Sequence, residues 1–232
     1  MSFLAALVCG GCAAAAGTDT AGGDAREAPA AALDPVSSPD WERDMQRFAA
    51  EDAARPPPRG PVVFTGSSSI RMWDRLAEDF PGVPVLNRGF GGSQLRDAVW
   101  YADQVAIRYR PRLVVLYAGD NDLNAGRSPE QVLADFRAFV ARIRRDLPHV
   151  PIVYIAIKPS PARAQLLSRM RAANALIRAE AARAARVEFI DVFTPMLGAD
   201  GQPRPDLFLE DRLHMNRAGY DLWRRLVGPS LR

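Results

Sequence analysis

Short apolar runs recur along the chain at residues 61–65, 84–87, 112–118, 151–157 and 187–192, rich in Val, Ile, Leu, Tyr and Phe. They lack a polar alternation, which is the pattern of strands buried on both faces. Between them, apolar residues fall at helical spacing near 69–79, 94–108, 129–146 and 162–184, with a last such stretch at 216–227. Strands alternating with helices predict crossover connections and a parallel sheet. The expected architecture is a three-layer α/β/α sandwich around a five-stranded parallel sheet. Ahead of it, Ser38-Pro39-Asp40 reads as a helix start, with Ser38 as cap and Pro39 in the first turn. Trp41, Met45, Phe48 and Ala49 then share one face, and Arg55-Pro56-Pro57-Pro58 ends the helix. The expected organisation is an N-terminal segment over 1–37, a helix and linker over 38–58, and one domain over 59–232.

Composition narrows the function classes. At 232 residues, 48% hydrophobic and 25% charged, the chain suits a single soluble core. The net charge is only +3, and the basic residues are almost all arginines interleaved with acids, as in Arg142-Ile143-Arg144-Arg145-Asp146. That pattern fits solvated helix faces and argues against a nucleic-acid partner. Cys9 and Cys12 are the only cysteines, so thiol chemistry and disulfides are absent from the expected domain. Residues 1–17 are small and apolar, resembling the end of a bacterial export signal but too short for a stable membrane span. Cys12 after Cys9-Gly10-Gly11 is a candidate lipid-anchor site, and 13–37 reads as a linker. An exported location, periplasmic or lipid-anchored, is the expectation. A disordered Ala/Gly tail on a cytoplasmic protein is the alternative.

Ligands bind outside the carboxyl ends of strands in such sheets, and the unusual polar residues all follow strands. Gly66-Ser67-Ser68-Ser69 places hydroxyls in a turn after the first strand, where a serine could attack an acyl carbon or merely cap a helix. Asn87-Arg88-Gly89-Phe90-Gly91-Gly92-Ser93 follows the second. It lacks the Gly-x-Gly-x-x-Gly pattern of a dinucleotide loop, but its glycines could bring backbone amides to a ligand, or it could be a plain turn with Ser93 as cap. Gly119-Asp120-Asn121-Asp122 follows the third. Asn121 offers a neutral amide donor suited to an oxyanion hole. Asp120, Asp122 and Asn124 have the spacing of a calcium loop, but Ala125 stands where that loop needs glycine and Gln131 where it needs glutamate. Finally, Asp211 lies three residues before His214, one of only two histidines. A carboxylate beside a histidine orients the ring so that its far nitrogen can accept a proton. His149, in Asp146-Leu147-Pro148-His149, reads as a helix-end or loop residue. No residue cluster has metal-ligand spacing, and no cofactor is expected.

These four blocks, in this order, resemble the SGNH hydrolases, also called GDSL-type esterases and lipases. The resemblance covers about residues 61–227. It implies a flavodoxin-like fold distinct from the α/β-hydrolases, whose Gly-x-Ser-x-Gly elbow is absent. It implies Ser68 as nucleophile, and Asp211 with His214 as its partners. The implied oxyanion hole comprises the Ser68 amide, the Gly92 amide and the Asn121 side chain, with Gly91 the neighbouring alternative to Gly92. Met215-Asn216 continues the last block. Ser67 departs from the family pattern, which has Asp before the nucleophile, so the roles of Ser67 and Ser69 bear on the register.

The expected function is hydrolysis of a small-molecule carboxylic ester through an acyl-enzyme on Ser68. Short acyl groups are favoured, O-acetyl groups on carbohydrate or similar alcohols above all, because no long insertion after the second or third strand could build a lid. The alternatives are an acyltransferase on the same site, a lysophospholipase or thioesterase, and a non-catalytic carbohydrate- or lipid-binding domain. Trp73, Lys158 and Arg163 are candidate neighbours of the pocket, although Trp73 equally suits the core and Lys158, before Pro159, equally suits a loop charge.

Overall fold

A computed structural model describes residues 39–232. The segment with Cys9, Cys12, the 13–37 linker and the Ser38 cap lies outside them. Five parallel strands form one sheet: β1 (Val62–Gly66), β2 (Val85–Gly89), β3 (Leu113–Tyr117), β4 (Ile152–Ile155) and β5 (Val187–Ile190), in the order β2-β1-β3-β4-β5. β1 and β3 are buried at every position, as their unbroken apolar sequence requires. Helices cover both faces, completing the three-layer sandwich. The chain order reverses at β1, and the gap between the ends of β1 and β3 is where this topology opens a crevice.

The helices are α1 (Pro39–Ala54), α2 (Ser68–Arg71), α3 (Leu76–Asp79), α4 (Leu95–Trp100), α5 (Ala102–Val105), α6 (Asp120–Asn124), α7 (Pro129–Asp146), α8 (Leu167–Ala181) and α9 (Arg217–Val227). Several differ from expectation. The stretch 69–79 is two single turns, α2 and α3. The stretch 94–108 breaks into α4, α5 and a 3₁₀ turn, Ile107–Tyr109. The stretch 162–184 opens with a 3₁₀ segment, Pro161–Leu166, before α8. Ser93 caps nothing: Gln94 precedes α4 and forms a capping box with Asp97. β2 runs on through Asn87-Arg88-Gly89, which pair with Phe64-Thr65-Gly66, so the polar residues of that block belong partly to the strand. On α1, Met45 and Phe48 are buried, but Ala49 is exposed. Asp52 takes the next inward position because Arg88, buried in β2, bonds it together with the Tyr109 hydroxyl.

Two glycines set the distance between sheet and α2. Gly66 has φ of +121°, and a Cβ there would stand 1.8 Å from the Tyr117 carbonyl oxygen. A Cβ on Gly89 would stand 2.2 Å from the Arg71 nitrogen. The first lets β1 turn sharply beside β3, and the second lets α2 settle on the end of β2. On the same face, Trp73 sits in an aromatic cluster with Phe64, Phe80, Tyr220 and Trp223, and its indole N–H donates to Asp79 at 2.7 Å. Trp73 is therefore core.

On the opposite face, three carboxylates are buried between α4, α6 and α7. Asp97 closes the α4 capping box, Asp122 accepts from the Leu95 N–H at 3.0 Å, and Asp135 pairs with Arg127 at 2.7 Å. Burial raises Asp122 to about 7, against the bond from Leu95 and with help from the charges of Asp135 and Asp120. Burial likewise raises Asp97 to about 6.

Gly66→Ala should destabilise the fold by more than about 4 kcal/mol or prevent folding, because the clash is with backbone that cannot move aside. Gly82→Ala, at a φ of +80° but in open space, should cost only about 1 kcal/mol of conformational strain. Urea denaturation midpoints distinguish the two. A pH dependence follows from Asp122. The folded chain keeps that proton up to about 7, whereas an unfolded aspartic acid loses it near its ordinary value of 3.8. The folded state then binds more protons across this window, so stability falls as pH rises through it. Asp122→Asn should flatten that fall, and its Tm relative to the unsubstituted protein should rise between about pH 4 and 7, as measured by thermal melts in matched buffers.

Candidate active site

Ser68 is the first residue of α2, at the crevice between the ends of β1 and β3. Its neighbours point elsewhere. Ser67 is fully buried, and its N–H donates to the Tyr117 carbonyl at 2.9 Å. Ser69 is buried, and its carbonyl accepts the Tyr220 hydroxyl at 3.0 Å. Of the three serines, only Ser68 meets a histidine: its Oγ lies 3.0 Å from His214 Nε2. The other ring nitrogen, Nδ1, lies 2.6 Å from Asp211 Oδ2. With Nδ1–H donating to the carboxylate, Nε2 is the acceptor for the Ser68 hydroxyl. His149 takes no part; it lies at the far end of α7.

A tight local loop holds Asp211 and His214. Asp211 Oδ1 accepts the N–H groups of both Leu213 and His214 at 2.9 Å. The Leu209 N–H donates to the His214 carbonyl at 2.8 Å, and Arg212, at a φ of +57°, makes the reversal between them. Asn216 closes the base. Its side-chain oxygen caps α9 through the Gly219 N–H, and its amide donates to the carbonyls of Asp206 and Phe208. Above, the Ala162 N–H donates to the Arg212 carbonyl at 3.0 Å. The slight burial of Asp211 works to raise it, but the ring and backbone donors prevail and hold it at about 2. It is therefore a carboxylate at any ordinary working pH, able to stabilise a charged imidazole.

Asn121, in α6, faces the same crevice. Its amide donates to the Ser93 carbonyl at 3.0 Å, while Arg163 Nη2 donates to its Oδ1 at 3.0 Å. The arginine thus fixes which way the amide points, and the Ser93 carbonyl takes only one of its two hydrogens. Arg163 is itself anchored, with Nη1 2.9 Å from Asp120 Oδ2, an oxygen that also lies 3.5 Å from Lys158 Nζ. Lys158 is 1% exposed, below the Tyr117 and Phe208 rings, and burial lowers it against the pull of Asp120. Lys158 and Arg163 both adjoin the site, Lys158 as a buried support and not a solvated loop charge. Asp120 and Asp122 stood out in the sequence only for a calcium-loop spacing, which did not point to their bonds with Arg163 and the Leu95 N–H. Gly92 is exposed on the turn after β2, with φ of +80°, and Gly91 is half-buried beside it. Among the described residues, no group of three or more His, Cys, Asp or Glu is placed to hold a metal ion, and no helix is long and apolar enough to cross a membrane.

Comparison with known proteins bears on the family and the fold. The profile of the GDSL-like Lipase/Acylhydrolase family matches residues 57–222. Among curated proteins, no relative matches the chain. Among solved structures, a Streptococcus pneumoniae protein provisionally assigned as a platelet activating factor superposes with a TM-score of 0.74 at 20% identity, over 83% of this chain and 93% of that one. A GDSL-like lipase from Bacteroides thetaiotaomicron gives 0.68 at 22% identity, over 81% and 96%. A carbohydrate esterase of family 3 from Talaromyces cellulolyticus gives 0.57 at 18% identity, over 74% and 95%. These likenesses establish the shared fold. The profile match, spanning all four sequence blocks, establishes more: the chain belongs to the GDSL-like lipase/acylhydrolase family and is a carboxylic ester hydrolase.

Proposed function

We propose that the chain is a serine esterase that hydrolyses short-chain carboxylic esters, O-acetyl groups on carbohydrate or similar alcohols above all, through an acyl-enzyme on Ser68. The observation that carries this reading is the unbroken hydrogen-bonded line from Ser68 Oγ through His214 to Asp211, at 3.0 and 2.6 Å. His214 Nε2 takes the hydroxyl proton as Ser68 attacks the ester carbonyl, and Asp211 holds the ring tautomer and stabilises the imidazolium. The oxyanion is held by the N–H groups of Ser68 and Gly92 and by the Asn121 amide. His214 then returns the proton to the leaving alcohol. Water, activated by the same nitrogen, attacks the acyl-enzyme and releases the acid.

The short-acyl preference is supported by how little chain follows β2 and β3 at the crevice. Only residues 90–94 separate β2 from α4, and only Ala118 and Gly119 separate β3 from α6. Neither connection can fold over a long acyl chain, which would need cover to gain roughly 0.8 kcal/mol per buried methylene. The carbohydrate esterase with the same fold supports a sugar-borne ester as one suitable substrate class.

A fluorophosphonate should label Ser68, located by peptide mass spectrometry, and Ser68→Ala should abolish both labelling and turnover while leaving the fold intact. An adduct on Ser67 or Ser69 overturns the assignment. Across nitrophenyl esters of increasing length, kcat/KM should be highest for acetyl or propionyl, whereas an optimum at octanoyl or beyond favours a lipase or thioesterase. Asn121→Ala should lower kcat on the order of 10²–10³-fold with little change in KM, because the donor engages charge that develops only in the transition state. A loss confined to KM would make Asn121 a substrate-binding residue instead.

A further inference from the structure

The turn that carries Gly92 is held from outside by a residue with no place in the chemistry described so far. The Trp41 indole N–H donates to the Gly91 carbonyl at 3.2 Å. That carbonyl belongs to the same peptide unit as the Gly92 N–H. A trans peptide is planar, and its C=O and N–H point in opposite directions, so a bond that fixes one fixes the other. We propose that Trp41 is a positioning residue that aims and polarises the Gly92 N–H as an oxyanion donor. This rests on the proposed function, in which Gly92 supplies that donor.

The turn needs such a constraint. Gly92 has φ of +80°, the value of the third residue of a type II turn. The type I form differs mainly by a half-rotation of the peptide between the two central residues, here the Gly91–Gly92 peptide, which would carry the N–H to the other side. Two glycines make that rotation inexpensive, since neither has a Cβ to oppose it. A Cβ on Gly91 would stand 2.8 Å from Arg71 Nε and 3.0 Å from its Cζ, a contact that the exposed arginine side chain can relieve only by moving. Local sequence therefore leaves both orientations open, and the indole selects one. A hydrogen bond received at the carbonyl also draws electron density from the nitrogen, strengthening the N–H as a donor.

Trp41 is well fixed for this task. It lies on α1, where Met45 and Phe48 are buried against the domain. Farther along α1, Asp52 is bonded by Arg88 and by the Tyr109 hydroxyl, and the Arg88 guanidinium also stacks over Phe48. The helix ends at Ala54, ahead of the segment that matches the family, which begins at residue 57. An element outside the matched segment thus completes the geometry of a donor inside it.

The test replaces Trp41, in the full chain, with benzothienylalanine, which keeps the bicyclic ring but puts sulfur where the N–H was. Trp41→Phe is the genetically encoded companion, and Trp100→Phe, on the exposed face of α4, is the control. For the analogue we expect kcat on nitrophenyl acetate to fall about tenfold, part of the loss for a whole oxyanion donor, with KM within about twofold. Affinity for a boronic acid, whose tetrahedral adduct places an oxygen in the oxyanion hole, should fall in parallel, and the Gly92 amide-nitrogen resonance should move upfield. Unchanged kcat and boronate affinity overturn the inference. So does a loss of Tm and activity without a selective loss of boronate affinity, which marks a merely structural residue. A shifted Gly92 resonance with full activity also overturns it, by removing Gly92 from the oxyanion hole while leaving Ser68 chemistry standing. Failure of the unsubstituted protein to turn over any ester or to take phosphonate on Ser68 overturns the proposed function, and the inference falls with it.

Discussion

Everything in the crevice depends on the close approach of backbone to backbone at the ends of β1 and β2. Gly66 leaves no gap between the turn after β1 and the Tyr117 carbonyl, and Gly89 leaves none between β2 and α2. With these contacts, α2 sits directly on the strand ends and presents its first residue, Ser68, to the space beyond the sheet. A side chain at either position would push α2 outward. The contact between Ser68 and His214 spans 146 residues of sequence and only 3.0 Å of space, so a displacement of one ångström would break it.

Charge is arranged around that contact so that each polar group has one available orientation. Asp211 is saturated by three donors and stays ionised. Asn121 is gripped on its oxygen by Arg163 and on one amide hydrogen by the Ser93 carbonyl, and Asp120 anchors the arginine. Lys158 shares the same carboxylate from within the core. A buried network of this kind is costly unless its members are paired, and pairing them in turn rigidifies the site. Rigidity is what an oxyanion hole needs, because donors already aimed at the developing charge require no reorganisation when the reaction occurs. The Gly91–Gly92 turn, the proposed site of a further donor, has little intrinsic stiffness of its own, and it is supported from α1.

The five strands and their parallel arrangement were legible in advance because an unbroken apolar run has few ways to be satisfied other than inside a parallel sheet, although the edge strands β2 and β5 are only partly buried. Asp211 and His214 were legible for a local reason: residues three apart in a tight loop can meet without help from the rest of the chain. The position of Asn121 was legible, since it follows a central strand, but its bonds to Ser93 and Arg163 were not. Less was legible where tertiary contact overrides local preference. The stretch 69–79 has helical spacing but divides into α2 and α3, because Asn87 reaches up to the Ile70 carbonyl and Trp73 turns into the aromatic core. Ala49 had the spacing of a buried residue, yet Asp52 took the inward place because a buried arginine waited for it in β2.

By itself, then, the sequence determined the layer architecture, the place of the first and third blocks at strand ends, and the pairing of Asp211 with His214, since these follow from periodicity and from neighbours only a few residues apart. Tertiary structure alone decided which of three adjacent serines faces the histidine. Ser67 and Ser69 turn inward because the backbone of β3 and the hydroxyl of Tyr220 claim their surroundings. It also decided that Arg163 grips Asn121 and that Trp41 reaches Gly91. Those contacts join residues 42 and 50 positions apart. They depend on where whole helices come to rest on the sheet, which is set by packing across the entire domain and leaves no periodic mark on the residues that meet.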